Sequence, residues 1–211
     1  MYDLPYYKEQ DAEVVKQFIR DHPFAFIAGC DHESKPVATQ VPVFIDEKDG
    51  KLFLTGHIMR NTDHHKAFEQ NPDVLAIFTG PHTYVSATWY DNPHQASTWN
   101  YMSVHAKGKI RFGGEEELIA VLKRLTLHYE NNNTASTTVF DNLPAEYTGR
   151  LIKAIVAFEI EILSMEHVFK LSQDRDEKSY HNIIEKLKQQ GGDGKEIGEL
   201  MEKRKGKVFN P

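Results

Sequence analysis

The chain is short of several things, and each shortage removes a class of protein. One cysteine, Cys30, stands among its 211 residues, which excludes an internal disulfide and fits a reducing compartment. It sits in the apolar run FAFIAGC and reads as a small buried hydrophobe. No window holds the roughly 18 apolar residues that a transmembrane helix needs. The start, MYDLPYYKEQD, has neither a basic flank nor an apolar run, so no signal peptide is expected and the expected location is cytoplasmic. Positive charge is scarce as well: 25 Lys and Arg stand against 31 Asp and Glu, for a net charge of −6. Nucleic-acid binders usually gather a basic surplus on one face. The dense basic stretch here is the end, KRKGKVFNP, which reads as a solvated tail behind an acidic helix. Direct DNA binding is therefore disfavoured. No Gly-rich turn of the Rossmann or P-loop kind links a strand to a helix. Gly-x-Ser-x-Gly is missing and Cys30 has no local reason to be an activated thiolate, which argues against a serine hydrolase or a thiol enzyme. Histidines 57, 64, 65 and 82 lack an HExxH pattern and a cysteine partner, so a metal site is disfavoured too.

What is present is a globular pattern. Hydrophobic residues make up 40% and charged residues 27%, ordinary values for a domain with a sizeable core. Asp11 is placed to cap a helix whose apolar stripe is Val14, Val15, Phe18 and Ile19, ended by His22 and Pro23. Strands rich in Val, Ile, Phe, Tyr and Thr are expected at 24–30, 37–45, 51–56, 74–80, 83–89, 103–112 and 155–163. Turn residues separate several of them, at 31–36, 47–50 and 80–82. Helices are expected at 61–70, at 115–130 with Leu118, Leu122, Leu125 and Tyr129 on one face, at 144–153, and after KLSQDR with Tyr180, Ile183, Ile184 and Leu187 inward. GGDG is expected to break that last helix, leaving a polar, mobile remainder. About seven strands with intervening helices predict an α+β protein built on an antiparallel barrel. The domain expected is 1–170, with a helical extension over 171–211 packed on it.

Three segments stand out from a plain barrel. In ATQVPVFID, Pro42 lies inside a strand-like run; lacking a ladder N–H, it marks an edge or a locally unpaired strand. Free backbone groups there can bond a planar heterocycle, or the edge is simply an edge. In LTGHIMRNTDHHKAF a strand ends at Thr55 and a helix begins near Asn61 to Asp63. A helix start suits a phosphate, and Arg60 can add a bidentate contact; alternatively Asn61, Thr62 or Asp63 only caps the helix. In GPHTYVSATWYDNPHQASTWNYMSVHAKGKI, five aromatic residues, Tyr84, Trp99 and Tyr101 among them, crowd a polar loop. They read as core, as a stacking surface or as a subunit interface. Asn100 would offer both a donor and an acceptor to a ring edge.

Taken together, MYDLPYY, ATQVPVFID, GHIMRN, FTGPHTYVSATWY and especially STWNYMSVHAKGKI resemble the PaiB-like family, from residue 1 to about 190. That family comprises FMN-binding split barrels, related to pyridoxamine 5′-phosphate oxidase and described as negative transcriptional regulators. The resemblance implies a homodimer with two flavins held between subunits. It implies that Thr39, Gln40, Val41 and Pro42 line the isoalloxazine. Thr55, Arg60, Asn61 and Thr62, helped by His64 or His65, would hold the ribityl phosphate. Tyr84, Trp99, Asn100 and Tyr101 would form an aromatic wall, and Lys170 and Gln173 a late contact. Two departures stand out: Ser97 replaces a proline common in the family, and the oxidases' Ser-x-Lys phosphate signature is absent. Three functions follow as expectations: a flavoprotein acting on an unidentified small molecule, a regulator acting through flavin or a partner, or a barrel that takes haem or a deazaflavin.

Overall fold

The computed structural model describes residues 1–92 and 94–209. Pro93, and Asn210 and Pro211 at the end of the basic tail, lie outside the described residues. Among the described residues, six helices and seven strands follow one another in the order α1 (Ala12–Asp21), β1 (Phe24–Cys30), β2 (Pro36–Pro42), β3 (Phe44–Lys48), β4 (Lys51–Met59), α2 (Asp63–Gln70), β5 (Asp73–Val85), β6 (Thr98–Phe112), α3 (Glu115–Tyr129), α4 (Ala145–Ala154), β7 (Ile155–Lys170), α5 (Glu177–Lys188) and α6 (Gly192–Phe209). The chain divides into two compact units. A middle unit holds Pro23–Phe78 and His105–Met165, and a terminal unit holds Met1–His22, Thr79–Val104 and Glu166–Pro211.

All seven strands belong to one sheet, in the order β2-β1-β5-β6-β7-β4-β3. The first and last members of that order are neighbours in sequence, with Val43 alone between them. The run expected as one strand over 37–45 is therefore two. Its first part pairs antiparallel with β1, from Cys30↔Pro36 to Phe24↔Pro42. Its second part pairs antiparallel with β4, from Phe44↔Thr55 to Lys48↔Lys51. Pro42 sits where the partner changes, since it has no N–H to give a ladder. The Val43 amide carries the β1 register one residue further, donating to the Pro23 carbonyl at 2.9 Å. Gly56 makes room for the change: a Cβ there would lie 3.0 Å from the Pro42 carbonyl oxygen and 2.8 Å from the Phe158 ring. The strand count predicted an antiparallel barrel, and this is the split form of it that the family resemblance implied.

Other strands run further than their local signals suggested. β4 continues through His57 to Met59 because β7 keeps pairing with it, as far as Met59↔Ile155; His57 is thus a strand residue and not part of a loop. β5 passes straight through Gly80, Pro81 and His82, which had read as a turn. Gly80 is there for packing, because a Cβ would sit 2.6 Å from the Phe18 ring of α1. The 83–89 run accordingly ends as strand at Val85, and residues 87–89 form a short 3-10 turn. Cys30 is half-buried at the end of β1, less enclosed than expected.

The helices follow their sequence signals closely, except the last. The Asp11 side chain accepts the Glu13 amide at 2.9 Å and starts α1, which buries Val15, Phe18 and Ile19. In α3, Leu118 and Leu122 pack with Ile155 and Ala157. GGDG does stop α5, but it also begins α6, with Gly192 in the left-handed region at φ 54°. The polar remainder read as mobile is an 18-residue helix that buries Ile197 and Met201. The basic tail read as solvated is partly committed: Arg204 pairs with Glu9 at 2.6 Å and Lys205 with Glu177 at 3.2 Å.

Candidate functional site

The middle unit carries the strand and loop candidates. Along β2, Val37, Thr39 and Val41 are half-buried while Ala38 and Gln40 are exposed, the alternation of a pleated edge strand. Facing residues in an antiparallel pair share a side of the sheet. Gln40 therefore stands beside Phe26, 39% exposed, and Pro42 beside Phe24, 60% exposed. β2 thus offers an unpaired backbone edge and an apolar outer face.

Thr55 does not join the other phosphate candidates. Its hydroxyl donates to Asp46 at 3.3 Å, and Asp46 is gripped by both Nη groups of Arg124 at 2.6 and 2.9 Å. Five residues of strand, roughly 16 Å, separate it from Arg60. Thr55 lines instead a hollow of 180 Å³ walled by Lys48, Arg111, Glu117 and Glu159.

Residues 60–62 form the turn between β4 and α2. The Arg60 Nε donates to the Ile155 carbonyl at 2.9 Å, and its backbone amide to Ala154 at 2.9 Å. Its Nη groups have no partner among the described residues, so the guanidinium is anchored by one edge and open at the other. The open Nη edge is free to donate to a further hydrogen-bond acceptor. Asn61 lies in the left-handed region at φ 63°. The helix start itself is largely filled from within. Thr62 caps α2, accepting the His65 amide at 3.3 Å, while the Asp63 carboxylate accepts the His64 amide at 2.8 Å. The capping alternative thus accounts for Thr62, and Asp63 puts a negative charge where a phosphate would sit.

The terminal unit carries the aromatic candidates. In β6 successive side chains take opposite faces. Trp99, 54% exposed, and half-buried Tyr101 point one way, and fully buried Asn100 the other. Trp99 meets Tyr84, 48% exposed, edge to face at 6.2 Å, with His82 also 6.2 Å from its ring. The Asn100 amide is spent inside. Its Oδ1 accepts the Ser172 hydroxyl at 3.0 Å, and its Nδ2 lies 3.5 Å from the Met201 sulfur. It does not present its side chain to the ring face that Trp99 and Tyr101 share. Lys170 donates to the Thr98 hydroxyl and stands over the rings of Tyr2 and Tyr7 at 5.7 and 6.0 Å. Burial pulls its pKa below the usual lysine value. Gln173 staples its own loop, accepting the Leu171 amide at 2.7 Å and donating to the Phe169 carbonyl at 2.6 Å. The Ser97 hydroxyl accepts the Ala87 amide at 2.9 Å.

Sequence reasoning missed Ile155, which anchors Arg60, and Ser172 and Met201, which engage Asn100. The first two lie far along the chain from their partners, and Met201 lay in a tail read as mobile. Asp63 was weighed only as a cap, although a carboxylate at a helix start already signals competition with an anion.

An antiparallel sheet whose end strands are joined through a single residue is a split β-barrel, and comparison with known proteins gives the same class. A family described as "Putative FMN-binding domain" matches residues 1–164. Protease synthase and sporulation protein PAI 2 of Bacillus subtilis is 33% identical over 203 residues, covering 96% of this chain and 97% of that one. The chain belongs to this PaiB-like family of FMN-binding split barrels. Among solved structures, Rv2991 of Mycobacterium tuberculosis aligns at a TM-score of 0.55 with 14% identity, over 80% of this chain and 90% of that one. An FAD and heme binding protein from Mycobacterium smegmatis aligns at 0.53 with 15% identity, over 77% and 72%. At such low identity these two speak for the fold alone. No helix among the described residues is long and apolar enough to cross a membrane.

Proposed function

We propose that the protein binds FMN as a homodimer and uses it in redox chemistry on a small molecule. The observation that carries this reading is Arg60: an anchored, half-open guanidinium in the turn before α2, within the 1–164 match to an FMN-binding family. In this reading the Arg60 Nη groups hold the phosphate and the free edge and apolar face of β2 support the ring. The exposed rings of Tyr84 and Trp99 are offered to the partner subunit. Bound FMN would supply one- or two-electron transfer. What this chain adds is orientation, a dry apolar surface and a fixed positive charge. Thr55, Asn100 and Gln173 act at one remove, through packing and loop geometry.

The test is the visible spectrum of the purified protein with mass spectrometry of the released ligand. FMN and a two-band yellow spectrum are expected; a Soret band would replace this reading with the haem one. Light scattering should give twice the 24.3 kDa chain mass, and a monomer at micromolar concentration would contradict the dimer.

A second reading, regulation, is favoured by the name of the B. subtilis relative, a protease synthase and sporulation protein. With a net charge of −6, specific duplex binding by the protein alone is not expected. Sequence-selective binding below roughly 100 nM at about 150 mM salt would put regulation first.

A further inference from the structure

His65 lies in the first turn of α2 and is only 5% exposed. Its ring packs edge to face on Phe112 of β6 at 4.7 Å. The two ring nitrogens have different surroundings. Nδ1 accepts the backbone N–H of Asn61 at 3.4 Å. Nε2 is buried without a hydrogen-bond partner, the Glu69 carboxylate standing 3.8 Å away. An accepting nitrogen carries no proton, so the neutral ring must bear its hydrogen on Nε2. Asn61 has a φ of 63°, a left-handed conformation open to asparagine more than to most non-glycine residues, and its amide is held there by the His65 ring.

We propose that His65 is a positioning residue for the turn at residues 60–62: neutral, its Nδ1 holds the Asn61 amide; doubly protonated, it releases the turn, so the grip on a phosphate-bearing ligand is acid-sensitive. The first part stands on the geometry of the turn, and only the last clause rests on the FMN reading. A protonated Nδ1 would face the Asn61 N–H donor to donor, and the hydrogen bond is lost. The charged neighbours act in both directions. Glu69, one helical turn on, favours the charged ring, whereas Arg60, His64 and Lys66 oppose it; β6 contributes the uncharged Phe112. Burial is the largest influence and holds the pKa below the ordinary histidine value of 6.5. The sign follows: the released turn binds the proton more readily than the held one, so holding is complete above about pH 6.5 and is lost as the pH falls below it. If only the held turn grips phosphate, affinity scales with its population, so one pH unit below the midpoint it drops about tenfold.

The test uses the full chain. Long-range 15N NMR of the His65 ring should show hydrogen on Nε2 at neutral pH, and the Asn61 amide should shift with the midpoint of His65. FMN and riboflavin are then titrated from pH 7.5 to one pH unit below the His65 midpoint found by NMR, with wild type and with His65→Asn, whose side-chain oxygen can accept the same N–H without titrating. FMN's own phosphate protonates near pH 6, and the variant reports that contribution alone. The wild type should lose about tenfold more FMN affinity than the variant over this range, with riboflavin indifferent in both. An Asn61 amide that ignores the His65 titration, or a ring protonated on Nδ1, overturns the positioning role, and wild-type protein suffices to show it. Equal pH profiles for wild type and variant overturn the acid-sensitive grip. Failure of FMN to bind at any pH sinks the FMN reading and with it the last clause, while the NMR result still decides the first.

Discussion

Residues 60–62 of the middle unit and 99–101 of the terminal unit hold several of the candidate residues, and they spend their chemistry in opposite ways. In the first segment the charged side chain remains open beside exposed Asn61: Thr62 caps its helix and Arg60 keeps its Nη edge free. In the second the polar residue is used up, with Asn100 buried against Ser172 and Met201, and the rings of Trp99 and Tyr101 are what remain on the opposite face. A binding surface is made of capacity the fold has not consumed. By that measure the proposed function assigns residues 60–62 to an anion and residues 99–101 to a flat, apolar partner.

The comparison makes its largest prediction at Asn100. Asn100→Ala should cost about 2–3 kcal/mol, because it leaves the Ser172 hydroxyl buried and unpaired beside a cavity. Urea unfolding measures it. Asp63→Asn should act in the other direction on ligand binding. It removes a negative charge from the start of α2 and should tighten FMN by about 0.3–1 kcal/mol, roughly two- to fivefold; an unchanged or weaker affinity would place the phosphate away from this turn. The smallest effect expected is on the stability of Trp99→Ala. Its ring is mostly exposed, so the change should stay within about 0.5 kcal/mol while ligand or subunit binding falls. If Trp99→Ala proved more destabilising than Asn100→Ala, the contrast between spent and spare capacity would collapse.

The sequence announced whatever depends on near neighbours. Strand 24–30, the Asp11 cap of α1 and the inward face of α3 could all be read from a few adjacent residues. The opposite facing of Asn100 and its two aromatic neighbours was missed, because the strand was expected to start at 103 and β6 starts at Thr98. What could not be read depends on distant partners. The change of strand partner at Val43 needs both β1 and β4, and the passage of β5 through Gly80 needs Phe18 from α1. Helix α6 looked like a polar tail because its buried stripe is thin, with two glycines among its four inward residues. The anchoring of Arg60 depends on a carbonyl 95 positions away, at Ile155. Arg60 could be nominated from sequence as a phosphate contact, but its readiness for one could not.

The most direct test of the account is the ratio of FMN to riboflavin affinity in wild type and in Arg60→Ala. Removing a charge-assisted contact should cost FMN about 1.5–3 kcal/mol, roughly ten- to a hundredfold in Kd. Riboflavin, which has no phosphate, should be almost unaffected. Equal losses for the two ligands, or none for either, would contradict the claim that this turn holds the phosphate.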